Sequence, residues 1–309
     1  MAFDFASVQS PFRMQPGLRR LAAGAQQLTP AGPNSPHLRE KLQALREAAH
    51  TVLHCAPGFD PRPALQALID HAVAERPEAL GRVGAGIEAR HLGWAVDGDQ
   101  VMGSGPVEVG NCLRQLDPHW RTTALLCLAF EEDFAMVQST TTRIPWLAVA
   151  LPSQWAPEEK IGLPFAELHG PVADNDRLVA ASAHLTQLVA APQRWERFVW
   201  TITPDARLRL HPAREAPPEW PEPLAPGDAN PKITFRTERQ TFIPVPEHGQ
   251  AVFTIHVQCA PLAEALARRE DAQAVHDALA TMSPAVLAYR GFTAVREPLL
   301  AWLAARCAA

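Results

Sequence analysis

Apolar residues recur at helical spacing through the first quarter of the chain. Leu38, Leu42, Leu45, Val52 and Leu53 follow Ser35 and Pro36, a good N-cap and the residue best tolerated at the first helical position. Asp60 and Pro61 open a second helical pattern through Leu65, Leu68 and Ile69 to about Glu75, just before Pro77. The glycines of GRVGAGIEA (81–89) then break the chain. They are no dinucleotide fingerprint, because no strand precedes them and no G-x-G-x-x-G is present.

From about Leu125 the pattern changes. FEEDFAMVQ (130–138) continues a helical reading, whereas IPWLAVALP (144–152) reads as a buried strand. RFVWTITP (197–204) predicts another strand. KITFRTERQTFIPV (232–245) and QAVFTIHVQCA (250–260) predict two more, joined by a Pro-Glu-His-Gly turn and paired antiparallel as sequence neighbours usually are. Helix returns in 261–282 and 295–307. An antiparallel sheet with surrounding helices is an α+β arrangement. A largely helical N-terminal region (1–120) precedes the sheet region (121–309), the two packing as one unit.

Composition narrows the partners more than the chemistry. The 309 residues carry a net charge of −5, and Lys and Arg form no run. Nucleic acid and anionic membrane surfaces are disfavoured, since both need clustered cations. The longest apolar stretch, Ile144 to Pro152, is far shorter than the roughly 20 residues of a membrane span. MAFDFASVQSPF lacks the basic and apolar regions of a secretory signal, so a cytoplasmic protein is expected. Five cysteines are scattered without a CxxC, so neither zinc nor iron–sulfur ligation is signalled and any electrons must come from another chain. G-x-S-x-G, H-E-x-x-H and P-loop motifs are absent, which disfavours hydrolases and nucleotide-driven enzymes. Thirty prolines are spread along the chain, with one dense segment at Ala216–Pro231. It reads as a long surface loop, either a flap over a site or a solvated linker.

Two segments about seventy residues apart are the most specific feature. EEKIGLPFAELHGPV (158–172) and FRTERQTFIPVPEHGQAVFTIHVQCAPL (235–262) stand in order with SPFRMQPGLRRL, FEEDFAMVQ, LPSQWAPEEKIGLP and AYRGFTAVREPLLAWL. Together they resemble the α-subunit-like family of haem-dependent oxidative N-demethylases, from about Pro11 to Leu303. The resemblance implies a PAS-like sheet, haem b, and oxidation of a small secondary amine such as dimethylamine with O2, releasing formaldehyde. It also implies a reductase partner carrying FMN and a 2Fe-2S cluster and drawing on NADPH, with tetrahydrofolate on a further chain.

Residue by residue, the resemblance makes His169 the iron ligand. It ends the short helical segment PFAELH before Gly170 and Pro171; alone, it reads as a cap or core histidine. In TERQT, alternation puts Glu238 and Gln240 on one face and Arg239 and Thr241 on the other. On the next strand Thr254, His256 and Gln258 share a face. If the polar faces align, Glu238, Gln240, Thr254 and His256 line one pocket. There Glu238 would bind the amine and handle its proton, burial raising its pKa. Arg239 and Gln240 would polarise oxygen or hold a propionate, and Lys160 and Arg236 would serve the haem; the bland readings are solvated strand charges and a turn cap for Lys160. His256 stands where the family pattern commonly has arginine, and it is the second choice for iron. Glu131, Glu132 and Asp133, read on a helix, cannot all face one site, so a structural use is expected. The rivals are a haem sensor without turnover and a binding protein without haem.

Overall fold

The computed structural model describes residues 3–216, 219–220 and 233–308. Strand β1 (Arg19–Arg20) leads to helix α1 (Pro36–Ala48). The Ser35 hydroxyl caps α1 by accepting the His37 amide N–H, which satisfies one of the unpaired first-turn donors. After β2 (Leu53–Cys55), helix α2 (Arg62–Glu75) follows where proline and apolar spacing predict it.

The N-terminal region is not simply helical. β3 (Leu80–Val83), β4 (Gly86–Ala89), β5 (Trp94–Asp97) and β6 (Gln100–Gly103) form a four-stranded antiparallel meander. The glycines that seemed to break the chain supply its tight packing. A Cβ at Gly86 would stand 1.9 Å from the Val96 carbonyl oxygen, a separation that no side chain can accept. Helices α3 (Val107–Gln115) and α4 (Pro118–Ala129) follow, and α4 is buried along its last seven residues.

β7 (Asp133–Gln138) and β8 (Arg143–Ala148) come next. FEEDFAMVQ is therefore extended, not helical: five of the six β7 residues are buried, so its apolar run fills a two-sided strand rather than a helix stripe. Short helices α5 (Phe165–Leu168), α6 (Asp176–Ala180) and α7 (Ser182–Ala190) lead to β9 (Trp195–Thr203), β10 (Thr234–Val245) and β11 (Gln250–Pro261). These strands join a seven-stranded antiparallel sheet in the order β1-β9-β10-β11-β7-β8-β2. The N-terminal region thus supplies both edge strands. Gly249, at φ 59°, ends the Pro246–His248 turn in a left-handed conformation and starts β11, a backbone that glycine adopts without strain.

The chain closes with α8 (Leu262–Ala265), α9 (Arg269–Ala280), α10 (Pro284–Tyr289) and α11 (Arg296–Ala308). One apolar core runs from Leu28 to Val257 and joins the N-terminal region to the sheet. A second core packs α9 and α11 against Trp200, Ile202 and Phe235. Among the described residues, no helix is long and apolar enough to cross a membrane. The proline-rich segment lies outside the described residues except for Ala216, Glu219 and Trp220.

Candidate functional site

A cavity of about 620 Å³ lies over the central strands, within the range of small-molecule and cofactor sites. Its floor includes Arg236, Glu238, Gln240 and Phe242 of β10 and Phe253 and Ile255 of β11. Leu168 and His169 stand in the wall, with Leu185 and Val189 of α7.

Glu238 is a carboxylate held at both oxygens on this floor. Ser153 Oγ donates to its Oε1, and Gln240 Nε2 donates to Oε2 at 2.7 Å. Ser153 is fixed in turn by Arg236, whose Nε and Nη2 donate to Oγ at 3.0 and 2.8 Å. Nη1 and Nη2 of Arg236 also donate to the Arg207 and Leu208 carbonyls at 2.9 and 2.7 Å, and Nη1 reaches Cys259 Sγ at 3.6 Å. All five guanidinium donors are thereby engaged. Arg236 borders the cavity but has no donor left for a propionate, so it positions Glu238 through Ser153.

The register of the hairpin corrects the expected pocket. Glu238 pairs with Val257 and Gln240 with Ile255, whereas Arg239 pairs with His256 and Thr241 with Thr254. Directly paired residues share a face. Thr254 and His256 therefore lie behind the sheet, opposite Glu238, and cannot bind the same ligand. The polar positions of the two strands alternate out of phase, which neither strand reveals alone. Arg239 is also on the back, where Nε and Nη2 donate to Glu196 Oε2 at 3.0 and 2.9 Å and Nη1 to the Gln26 carbonyl at 2.7 Å. It is a buried structural ion pair, not a group that meets oxygen. Thr254 shares a 2.7 Å hydrogen bond with Thr241.

His169 caps the C-terminal end of α5. Its Nδ1–H donates to the Phe165 carbonyl at 2.8 Å, leaving Nε2 as the unprotonated nitrogen, without a protein partner among the described residues. Burial, with the Arg197 and Lys160 charges adding to it, outweighs that carbonyl and pushes the imidazole down to about 4. A neutral ring, oriented by a backbone acceptor on one nitrogen and free on the other, is what iron ligation requires. Arg197 and Lys160 also line the cavity, and neither side chain has a hydrogen bond among the described residues. Apolar walls, a free imidazole nitrogen and two unengaged cations for propionates suit haem. Arg290 borders the cavity as well, its guanidinium 4.8 Å from the Phe12 ring centre and 5.2 Å from that of Trp200.

The low His169 pKa has a checkable consequence. The unfolded chain takes up a proton near pH 6.5 that the folded haem-free protein refuses until about 4, so this contribution to stability is complete above 6.5 and is lost as pH falls toward 4. The melting temperature of the haem-free wild type, relative to an H169A variant, should fall across that window and stay level above it.

Behind the sheet, His256 Nε2 stands 3.1 Å from Glu131 Oε2, and its Nδ1 is 3.3 Å from Glu132 Oε1. Lys41 Nζ lies 3.0 Å from Asp133 Oδ1, and the Leu151 amide donates to Oδ2 at 2.7 Å. Glu132 and Asp133 are both buried, because extended backbone and the preceding loop, not a helix, carry them.

Ser153 and Arg197 were not found from the sequence. Arg197 offered a weak signal as the polar start of an apolar strand. Ser153 offered none, since its role rests on contacts more than eighty residues away.

Residues 36–300 match the family described as haem-dependent oxidative N-demethylase, alpha subunit-like, and the chain belongs to that family. The description makes it a haem-dependent, oxidoreductase-type protein.

Proposed function

We propose that the cavity binds haem through His169 and oxidatively demethylates a small secondary amine such as dimethylamine. The observation that carries this reading is the Glu238 carboxylate. Of its roughly four acceptor positions, Ser153 takes one on Oε1 and Gln240 one on Oε2. Among the described residues one position on each oxygen stays open, matching the two N–H donors of a dialkylammonium ion. Phe242, Phe253 and Ile255 give the alkyl groups an apolar surface.

Bound haem would supply the oxidising chemistry with O2. Glu238 holds the amine as its cation and accepts its proton when the nitrogen must be neutral. Gln240 and Ser153 keep the carboxylate from rotating, and Arg236 keeps Ser153 in place. Arg197 and Lys160 would hold the propionates. In balance, the N-methylamine, O2, two electrons and two protons give the demethylated amine, formaldehyde and water.

Those electrons come, in this reading, from a reductase chain with FMN and a 2Fe-2S cluster fed by NADPH, and tetrahydrofolate on a partner captures the formaldehyde. The PAS-like interpretation of the sheet and a cytoplasmic setting accompany the same reading.

The test is an absorption spectrum of the haem-reconstituted protein during titration with dimethylamine. A shifting Soret band is expected in the wild type. E238Q should keep the haem yet bind amine about 10- to 100-fold more weakly, since a charge-assisted pair is lost without loss of volume. An unchanged shift in E238Q would remove Glu238 from the amine. A band indifferent to all small amines would favour a haem sensor, and no band would mean that the fold holds no haem.

A further inference from the structure

We propose that the back of the sheet carries a second metal site, a zinc-class divalent cation held by His37 Nδ1, His256 Nε2 and the Glu131 carboxylate. The three come from α1, β11 and the loop before β7, and their ligand atoms all lie within 4.8 Å of one another. His256 Nε2 is 3.1 Å from Glu131 Oε2, and His37 Nδ1 is 3.6 Å from Oε1. A tetrahedral ion with bonds near 2.1 Å sets its ligands about 3.4 Å apart. Little movement is needed.

The outer partners of each ligand fit the same reading. A metal-bound imidazole typically gives its other N–H to a carbonyl or carboxylate. His37 Nε2 does so to the Val257 carbonyl at 2.7 Å, which leaves Nδ1 free of a proton. His256 Nδ1 faces Glu132 Oε1 at 3.3 Å. Glu132 is only 1 % exposed; its Oε2 accepts the Thr29 amide at 2.8 Å, while its Oε1 has no hydrogen-bond partner among the described residues and stands ready for the Nδ1–H that a metal on Nε2 would fix on His256. Ser35 Oγ donates to Glu131 Oε1 at 2.9 Å and orients the third ligand.

Charge agrees. Three consecutive carboxylates, Glu131, Glu132 and Asp133, stand beside one buried ammonium, Lys41, which pairs with Asp133 at 3.0 Å. Three negative charges and one positive leave two negative charges for a divalent cation, if both histidines are neutral. The competing occupant is a proton on His256, which would make the cluster a closed ion network.

The site is distinct from the haem cavity, because none of its three ligands lines that cavity. It would tie α1 and the loop before β7 to the strand whose other face forms the cavity floor.

The full-length protein, stripped with a chelator, should take up one zinc per chain by calorimetry, and cobalt(II) should give the visible spectrum of a four-coordinate N/O site. E131Q and H37Q should each weaken zinc at least about 100-fold while the circular dichroism spectrum is kept; using both guards against one variant misfolding. H169A should bind zinc as the wild type does. No stoichiometric zinc in the wild type, or unchanged affinity in both E131Q and H37Q, would overturn the site in favour of the protonated network. Loss in H169A alone would place the zinc in the cavity and equally overturn it.

Discussion

H169A should be purified without a Soret band, and haem added back should bind about 100-fold or more weakly than to the wild type. The loss exceeds the 10- to 100-fold cost of removing an outer partner from a metal ligand, because the ligand itself is gone. The protein should still fold: His169 is only part-buried, and among the described residues its side chain makes one hydrogen bond, to a carbonyl four residues back. Free imidazole should restore much of the band by occupying the space left by the ring, while acetate should not. A haem band of unchanged position and strength in H169A would move the ligand to another group of the cavity wall. It would not move it to His256, which lies behind the sheet.

K41A should lose about 3–5 kcal/mol of unfolding free energy, the cost of stripping a buried ion of its partner. Lys41 is fully buried; its Nζ stands 3.0 Å from Asp133 Oδ1 as an ion pair and donates to the Glu132 and Phe130 carbonyls at 2.6 and 3.1 Å. Alanine leaves the Asp133 carboxylate without its counter-charge and both carbonyls without that donor, and opens a void. The melting temperature should drop by about 10 °C. The double variant K41M/D133N should recover part of this, since it removes both charges while asparagine can still accept the Leu151 amide. Urea unfolding would show it. A K41A loss below about 1 kcal/mol would mean that water reaches the pair and shares its charge.

Local signals in the sequence served where local physics decides. Ser35 and Pro36 marked the start of α1 correctly, because a cap depends on the two or three residues beside it. The β10–β11 hairpin was legible from alternation and its turn. Two kinds of information were missing. A buried strand and a buried helix share an apolar pattern, so Asp133–Gln138 read as helix. Likewise the meander from Leu80 to Gly103 was hidden by glycines that its close backbone contacts require. The site failed differently. Alternation correctly separated Glu238 from Arg239 within one strand, but assigning Thr254 and His256 to a face required the pairing register. The supporting residues Ser153 and Arg197 meet Glu238 or its cavity only once the chain has folded.

The hairpin also bears on how such a protein can change over evolutionary time. Residues 236, 238 and 240 of β10 face the cavity, and 237, 239 and 241 face the buried ties behind it. Point substitutions can therefore retune what is held in front without loosening the anchorage behind. Inserting or deleting one codon is another matter. A single-residue slip sends every side chain to the opposite face, and the carboxylate and the guanidinium would exchange places. The length of this strand is a constraint in its own right, stricter than the identity of any residue within it.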